Sequence, residues 1–408
     1  MANNKIFVGL DVGTTKICTV CGQLNENKKP EIIGVGLSPT AGLRKGLVID
    51  IEETISSIAA SLEEAERMAG QSISEAIVSL DGAQVSFITS KGVIAVSKPS
   101  GEITEEDVAR AIEAARAVSL PPNSEILHVI PYRYTIDGQS DVADPIGMNG
   151  VRLEAEVHII TSSITGIKNL TKCVSQVGLD VEEFVLTGIA AADAVLTDKQ
   201  KELGCILVDI GGATTSVACF FEGDLIYANT IPVGGGHITN DLAVGLRTSV
   251  DLAERIKIEY GFAEASEIPE RDNIDFSELS PNEEGKVSRR HVAEIIEARM
   301  QEIVSMIQKE LRNVSGVLFP AGVIITGGGS KLPGIIDLFK EKLKLPVQIG
   351  FPIELKGIVD KTDDPTYATG VGLVLWGISQ AENEGWFSSF KTNSVSDKIK
   401  KIFKSLLP

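Results

Sequence analysis

The chain has 408 residues, 43% hydrophobic and 23% charged, a globular composition too long for one ordinary core and one that predicts two or more domains. Its net charge of -18 excludes a general nucleic-acid binder, because an acidic surface repels a phosphate backbone. It leaves open a nucleotide in a cleft, where a nest of N–H groups and a metal override the global field.

The N-terminus, MANNKIFVGLD, runs straight into a core strand, unlike a signal peptide. No stretch reaches the roughly 18 apolar residues of a spanning helix. Residues 5–12 and 14–21 read as a hairpin about Gly13, with Asp11 and Lys16 flanking the turn. Glycine lets backbone approach a ligand, and turn N–H groups can face an anion. Lys16 has the reach to meet phosphates as a point charge. Cys18 and Cys21 form the one CxxC among five cysteines. Strand residues three apart point to opposite faces, so reduced, buried thiols of a cytosolic protein are expected rather than zinc. Residues 32–37 form a third strand. Residues 51–68 place Ile51, Ile55, Ile58, Leu62 and Ala65 on one helical face, with Asp50 as N-cap. Residues 77–80 read as a strand running toward Asp81-Gly82.

Residues 83–161 behave as a separate module. VSFITS and GVIAVS surround Gly92, and Thr104 with Asp107 nearly makes a capping box for a helix over 105–118, ended by Pro121-Pro122. Two long strands, 126–135 and 152–161, flank a region containing PIGMNG. The module has no cluster of metal ligands or nucleophiles, and His128 and His158 read as packed or solvent-facing strand residues. A helix at 165–176, a strand at 181–186 and a small-residue helix at 188–195 follow. Asp193 on that last helix faces either a cleft or solvent; both readings stand.

The stretch LVDIGGATTSV at 207–217 repeats the strand–glycine turn–strand design of residues 9–17. Asp209 ends its strand, where a carboxylate can hold a hydrated cation. Two such loops predict a duplicated fold closing on one ligand. Strands at 216–221 and 224–230 continue, Gly234, Gly235 and Gly236 read as a turn that either covers a ligand or is only a loop, and 239–246 is helical. The polar helix 250–261 carries Glu254 and Lys257 on one face, whose plain reading is a surface ion pair. Residues 269–281 look irregular. A long helix at 289–311 has the stripe Val292, Ile295, Ile296, Met300, Ile303, Ile307 and Leu311, and 243–311 reads as an inserted subdomain. A buried strand then enters Gly327-Gly328-Gly329, glycines that remove side chains where a planar base or its sugar phosphate could lie. A helix at 333–343 and a strand at 346–349 follow, and the small-residue helix 367–376 is matched to pack on 190–195 across a hinge.

Residues 384–393 read as a linker. Beyond it Val395, Ile399, Ile402, Phe403, Leu406 and Leu407 share a helical face, with Lys398, Lys400, Lys401 and Lys404 around the rest and Asp397 as the single acid. A basic amphipathic end on an acidic protein is the pattern of an interfacial helix drawn to anionic lipid. The plain alternative is a terminal helix docked on the core or a partner.

LDVGTTK at 10–16, VDIGGATTSV at 208–217 and ITGGGSKL at 325–332 resemble the two phosphate loops and the adenosine loop of the actin superfamily, shared with sugar kinases and heat-shock ATPases. ILHVIPYRYTIDG at 126–138 and DPIGMNGVRLEAEVHIIT at 144–161 resemble the distinctive subdomain of the bacterial FtsA family, and the likeness extends over nearly the whole chain. That resemblance implies an α/β fold of two actin-like, ribonuclease-H-like domains around a nucleotide cleft. Its parts are residues 1–82 with 162–197 as the first core (1A), 83–161 as the inserted subdomain (1C), 198–242 with 312–383 as the second core (2A), 243–311 as a second insertion (2B), 384–393 as linker and 394–408 as a membrane-targeting helix. It implies ATP and Mg²⁺: Asp11 and Asp209 on the metal through waters; Gly13, Thr14, Thr15 and Lys16 on phosphates opposite Gly211, Gly212 and Thr214; Gly235 over the ligand; Glu254 and Lys257 at ribose or adenine; Gly327, Gly328 and Gly329 beside the nucleoside. Ala213 departs from the family, which commonly has a third glycine there, and either fits the loop or narrows it and slows turnover. No general base is assignable, so at most weak hydrolysis is expected. The implied role is a filament-forming cell-division protein that tethers the tubulin-like FtsZ, bound through the second insertion, to the cytoplasmic face of the cell membrane at the division site and recruits later division proteins. The alternatives are an MreB- or PilM-like scaffold, or a soluble small-molecule kinase of the same superfamily.

Overall fold

The computed structural model describes residues 5–82, 85–279, 283, 285–353, 356–358 and 362–382. Two sheets dominate it. In spatial order the first runs Asp180–Leu186, Glu75–Leu80, Ile6–Val12, Lys16–Leu24, Pro30–Pro39 and Lys356–Gly357. The second runs Asp224–Ile231, Thr215–Phe221, Cys205–Ile210, Gly322–Thr326 and Val347–Ile349. Within each half the order is third, second, first, fourth, fifth strand, with the first antiparallel to the second and parallel to the fourth. The edge strand Lys356–Gly357 comes from the second half and pairs with Pro30–Pro39 of the first. The repeat expected from the two glycine turns is therefore a repeat of topology.

Helices cover the sheets where glycines let backbones meet. Helix Ile51–Ala69 starts at Asp50, whose side chain accepts the Glu53 N–H at 3.0 Å. It lies so close on the strand below that a Cβ at Gly36 would come 1.8 Å from the Ser61 carbonyl oxygen. On the other face helix Ala368–Glu382 presses on helix Thr187–Val195, where a Cβ at Gly372 would stand 1.7 Å from the Ala190 carbonyl. The sequence predicted this pairing of small-residue helices, and the cluster around it takes residues from both sheets, among them Val20 and Leu207. Cys18 belongs to that cluster and Cys21 to the one on the opposite face, as strand geometry requires. All five cysteines are buried and free.

A third, four-stranded sheet runs Ser86–Ala95, Arg152–Ser163, Ser124–Ile136 and Gln139–Val142, backed by helix Glu105–Arg116. VSFITS and GVIAVS are one strand, and Gly92 at its middle is a packing position: a Cβ there would be 2.1 Å from the Ala111 carbonyl of the helix. Asp107 completes the capping box despite being an aspartate, accepting the Thr104 N–H at 3.0 Å. Both histidines are packed. His158 lies between the rings of Phe87 and Tyr132, and His128 accepts the Leu186 N–H at 3.3 Å.

Residues 269–279 are more ordered than expected. Asn273–Asp275 pairs with Lys286–Ser288, and the short helix Phe276–Leu279 follows. Ile274, Phe276 and Leu279 drive this by burying with Val292, Ile296 and Met300 of helix Arg289–Glu310 in the core under the second sheet. The linker 384–393 and the amphipathic segment with Val395, Lys398, Ile399, Lys401, Ile402, Phe403, Lys404, Leu406 and Leu407 lie outside the described residues. No helix among the described residues is long and apolar enough to cross a membrane.

Candidate functional site: the cleft between the two sheets

The two central strands, Ile6–Val12 and Cys205–Ile210, deliver Asp11 and Asp209 to their carboxyl ends, the edge where open α/β sheets hold ligands. Between them lies a cleft of about 450 Å³, a size suited to a small-molecule ligand. Its wall contains Gly13, Thr14, Thr15 and Lys16 from the first turn and Gly211, Gly212 and Thr214 from the second. The turns touch, since a Cβ at Gly212 would sit 2.3 Å from the Thr15 methyl. Lys16 reaches across, donating to the Thr366 carbonyl and standing 5.3 Å over the Tyr367 ring.

Three carboxylates converge here. Asp11 accepts the Ser79 hydroxyl at 3.0 Å, and burial raises its pKa. Asp209 accepts the Thr369 hydroxyl at 3.1 Å; burial, reinforced by the charges of Asp11 and Asp81, pushes it up to about 7. Asp81 accepts the Thr214 hydroxyl and, at 3.5 Å, that of Ser216. Asp11 and Asp209 are held up by burial and neighbouring carboxylates with Lys16 as the cation opposing it, a surplus of negative charge that suits a divalent cation. Among the described residues no three acids, histidines or cysteines stand close enough to ligate one metal directly, so contact through waters is the arrangement these side chains fit.

The third glycine run forms the cleft's other wall. Gly327 has φ 79°, and a Cβ there would lie 2.1 Å from Asp209 Oδ1; one at Gly329 would lie 2.3 Å from Ile210 Cγ2. The surface left bare suits a flat group. Glu254 and Lys257 form the ion pair that the sequence suggests, and both line the cleft. Lys257 Nζ is 2.6 Å from the Glu254 carboxylate, 2.8 Å from Thr239 Oγ1 and 3.3 Å from the Gly235 carbonyl.

One expectation needs correction, and two open readings are decided. Gly235 and Gly236 open the helix Gly235–Leu246 instead of forming a free turn, and their N–H groups go to the carbonyls of Gly211 and Gly212 at 2.8 and 2.7 Å. Gly235 lines the cleft, but its N–H is spent on the loop. Ala213 is buried and lies outside the cleft wall, so its methyl does not narrow the site. Asp193 is paired with Lys201 at 2.9 Å and is likewise outside the wall. The sequence reading passed over Asp81, Thr369, Thr366 and Lys331, all in the wall. For Asp81 a signal existed, because it ends a strand before a glycine as Asp11 and Asp209 do.

Two copies of one five-stranded topology, each offering a glycine turn and an aspartate to a shared cleft, with a further glycine run from the second half, define an actin-like two-domain protein with an inserted subdomain. Residues 206–372 match the family described as Cell division protein FtsA, and residues 82–161 match the SHS2 domain inserted in FTSA. The chain is 39% identical to the cell division protein FtsA of Pseudomonas aeruginosa over 97% of its own length and 94% of that protein. To FtsA of Bacillus subtilis it is 38% identical, covering 96% and 88% of the two chains, and to that of Escherichia coli K12 32%, covering 98% and 97%. The chain belongs to the FtsA family of bacterial cell-division proteins. Among solved structures it is similar in fold to a chain of a PilM–PilN type IV pilus biogenesis complex, with TM-score 0.67 and 17% identity over 91% of this chain and 98% of that one. It is also similar to MreB5 of Spiroplasma citri bound to AMPPNP, with TM-score 0.55 and 15% identity over 93% and 98%. At these identities the likeness is one of fold.

Proposed function

We propose that this chain binds ATP with Mg²⁺ in the cleft, polymerises, and tethers the tubulin-like FtsZ ring to the cytoplasmic face of the cell membrane at the division site, where it recruits later division proteins. Family membership supports the division role. The observation that carries the nucleotide part is the meeting of Asp11 and Asp209 between touching glycine turns. Mg²⁺, when bound, supplies the positive charge that these acids and the phosphates share. Gly13, Thr14, Thr15 and Lys16 then hold phosphate oxygens from one side, and Gly211, Gly212 and Thr214 from the other. Glu254 and Lys257, braced on Thr239, meet the ribose or adenine, and Gly327, Gly328 and Gly329 leave room beside it. No side chain is assigned as general base, so we assign at most weak ATPase activity and a nucleotide that serves assembly. We further propose the division into 1–82 with 162–197, 83–161, 198–242 with 312–383, and 243–311, with FtsZ docking on the last and residues 394–408 resting on anionic lipid.

Two measurements test this. The full chain should bind a fluorescent ATP analogue with Mg²⁺, and Asp209→Asn should weaken that binding at least tenfold; equal affinity in the variant would refute the assignment. The full chain should sediment with anionic liposomes, and a chain lacking residues 395–408 should bind nucleotide and stay in the supernatant. A shortened chain that still sediments would rule out the tether.

A further inference from the structure

Asp81 belongs to the first half by position and to the second by its contacts. It follows the strand Glu75–Leu80 of the first sheet, yet its carboxylate accepts hydroxyl hydrogen bonds from Thr214 and Ser216 of the second glycine loop and its strand. Its remaining bond, from the Gly82 N–H at 2.8 Å, holds the carboxylate over its own turn. The turn itself is fixed. The Thr187 hydroxyl donates to the Leu80 carbonyl at 3.2 Å, and Gly46 packs so near that a Cβ there would be 3.0 Å from Gly82 Cα.

This places a carboxylate in the cleft wall beside the second glycine loop. Thr214 has one hydroxyl proton, and while Asp81 holds it no phosphate oxygen can take it. A carboxylate so placed also repels phosphate unless a cation lies between them. We infer that Asp81 is a positioning residue of the nucleotide site: it clasps the second glycine loop to the first half until metal-bound nucleotide enters, and its charge makes phosphate entry depend on the metal. The inference rests on the nucleotide reading above.

The test compares ADP and ATP affinities of the full chain, Asp81→Asn and Asp81→Ser by titration calorimetry, in Mg²⁺ and in EDTA. Removing one nearby charge should strengthen metal-free binding on the order of tenfold. Affinity in Mg²⁺ should change much less, so the Mg²⁺-to-EDTA ratio shrinks. Asp81→Ser serves the same purpose if Asp81→Asn folds poorly, and a merely structural loss would weaken both conditions alike. An unchanged ratio overturns the role of Asp81. A ratio that shrinks only because Mg²⁺-dependent affinity falls overturns it too, since Asp81 would then be an ordinary metal-binding group. A parent chain that takes no Mg²⁺-nucleotide overturns the nucleotide reading and this inference together.

Discussion

Gly327 does at one residue what the cleft needs from the second half. Its φ of 79° is in the left-handed region, and the space where a Cβ would stand is already taken by Asp209 Oδ1 at 2.1 Å. Gly327→Ala therefore incurs about 1–2 kcal/mol of backbone strain, and it also displaces Asp209. Nucleotide affinity should drop at least tenfold while helical content by circular dichroism stays unchanged; full affinity in the variant would contradict this geometry. His128 and His158 give the residue scale a pH dependence. Burial pulls both down to about 4 from an ordinary 6.5, with Glu156 opposing it weakly at His158. Each ring is neutral in the fold and takes up a proton in the unfolded chain near pH 6.5. The stability this confers is complete above pH 6.5 and falls as pH drops toward 4, by about 1.4 kcal/mol per pH unit for each ring. His158 Nε2 is also buried without a partner. His158→Phe should lessen the fall of the urea midpoint between pH 6.5 and 5, a range over which Asp209, held up at about 7, acts in the opposite sense; an unchanged acid slope would show that the ring is not the group titrating. Asp209 and Gly327 were legible from sequence because glycine runs at strand ends mark close backbone approach. Asp81 carried the same mark of a strand end before a glycine, but its role was not legible, because that comes from Thr214, 133 residues away.

At the scale of elements, helix Ala368–Glu382 joins the two halves. Thr369 touches Asp209 in the cleft, Gly370 lies under Gly9 of the first sheet, and Gly372 meets Ala190 of the helix from the first half. The close approach is backbone on backbone, so no side chain can be admitted without driving the two helices apart. Gly372→Leu should cost at least about 3 kcal/mol, beyond the usual range for overpacking, because the obstacle is a carbonyl at 1.7 Å and not a movable side chain. Urea unfolding measures it; a loss under about 1 kcal/mol would mean that the helices separate easily. This helix pair was readable in advance from YATGVGLVLW and GIAAADAV, whose small residues have no other use. The elements at 273–279 were not readable, since strands and helices of three or four residues carry too few positions to display a period. The start of helix Gly235–Leu246 was hidden by glycines that normally signal a turn, and it is fixed by bonds to Gly211 and Gly212 far along the chain.

At the scale of the whole molecule, the inserted four-stranded sheet is more than an appendage of the first half. Arg133, on its strand Ser124–Ile136, pairs with Glu222 at 2.7 Å and with Asp224, both on the hairpin between Thr215–Phe221 and Asp224–Ile231 of the second half. Beside this pair the Phe87 ring stands 5.2 Å from Tyr227, whose hydroxyl donates to Glu310 at 2.6 Å. The guanidinium is largely buried while its partners are half exposed, so the carboxylates can re-solvate when Arg133 is removed but the gap it leaves cannot. Arg133→Ala should therefore destabilise by about 1.5–3 kcal/mol, the range for hydrogen bonds to charged groups. In a double-mutant cycle with Asp224→Asn the two losses should fall short of additivity by at least about 0.5 kcal/mol, as for residues in one network. Hydrogen exchange should quicken in Ser86–Ala95 and Asp224–Ile231 together, because the clamp joins those elements. Simple additivity, with faster exchange in Ser86–Ala95 alone, would leave the aromatic contact as the bond between inserted sheet and second half.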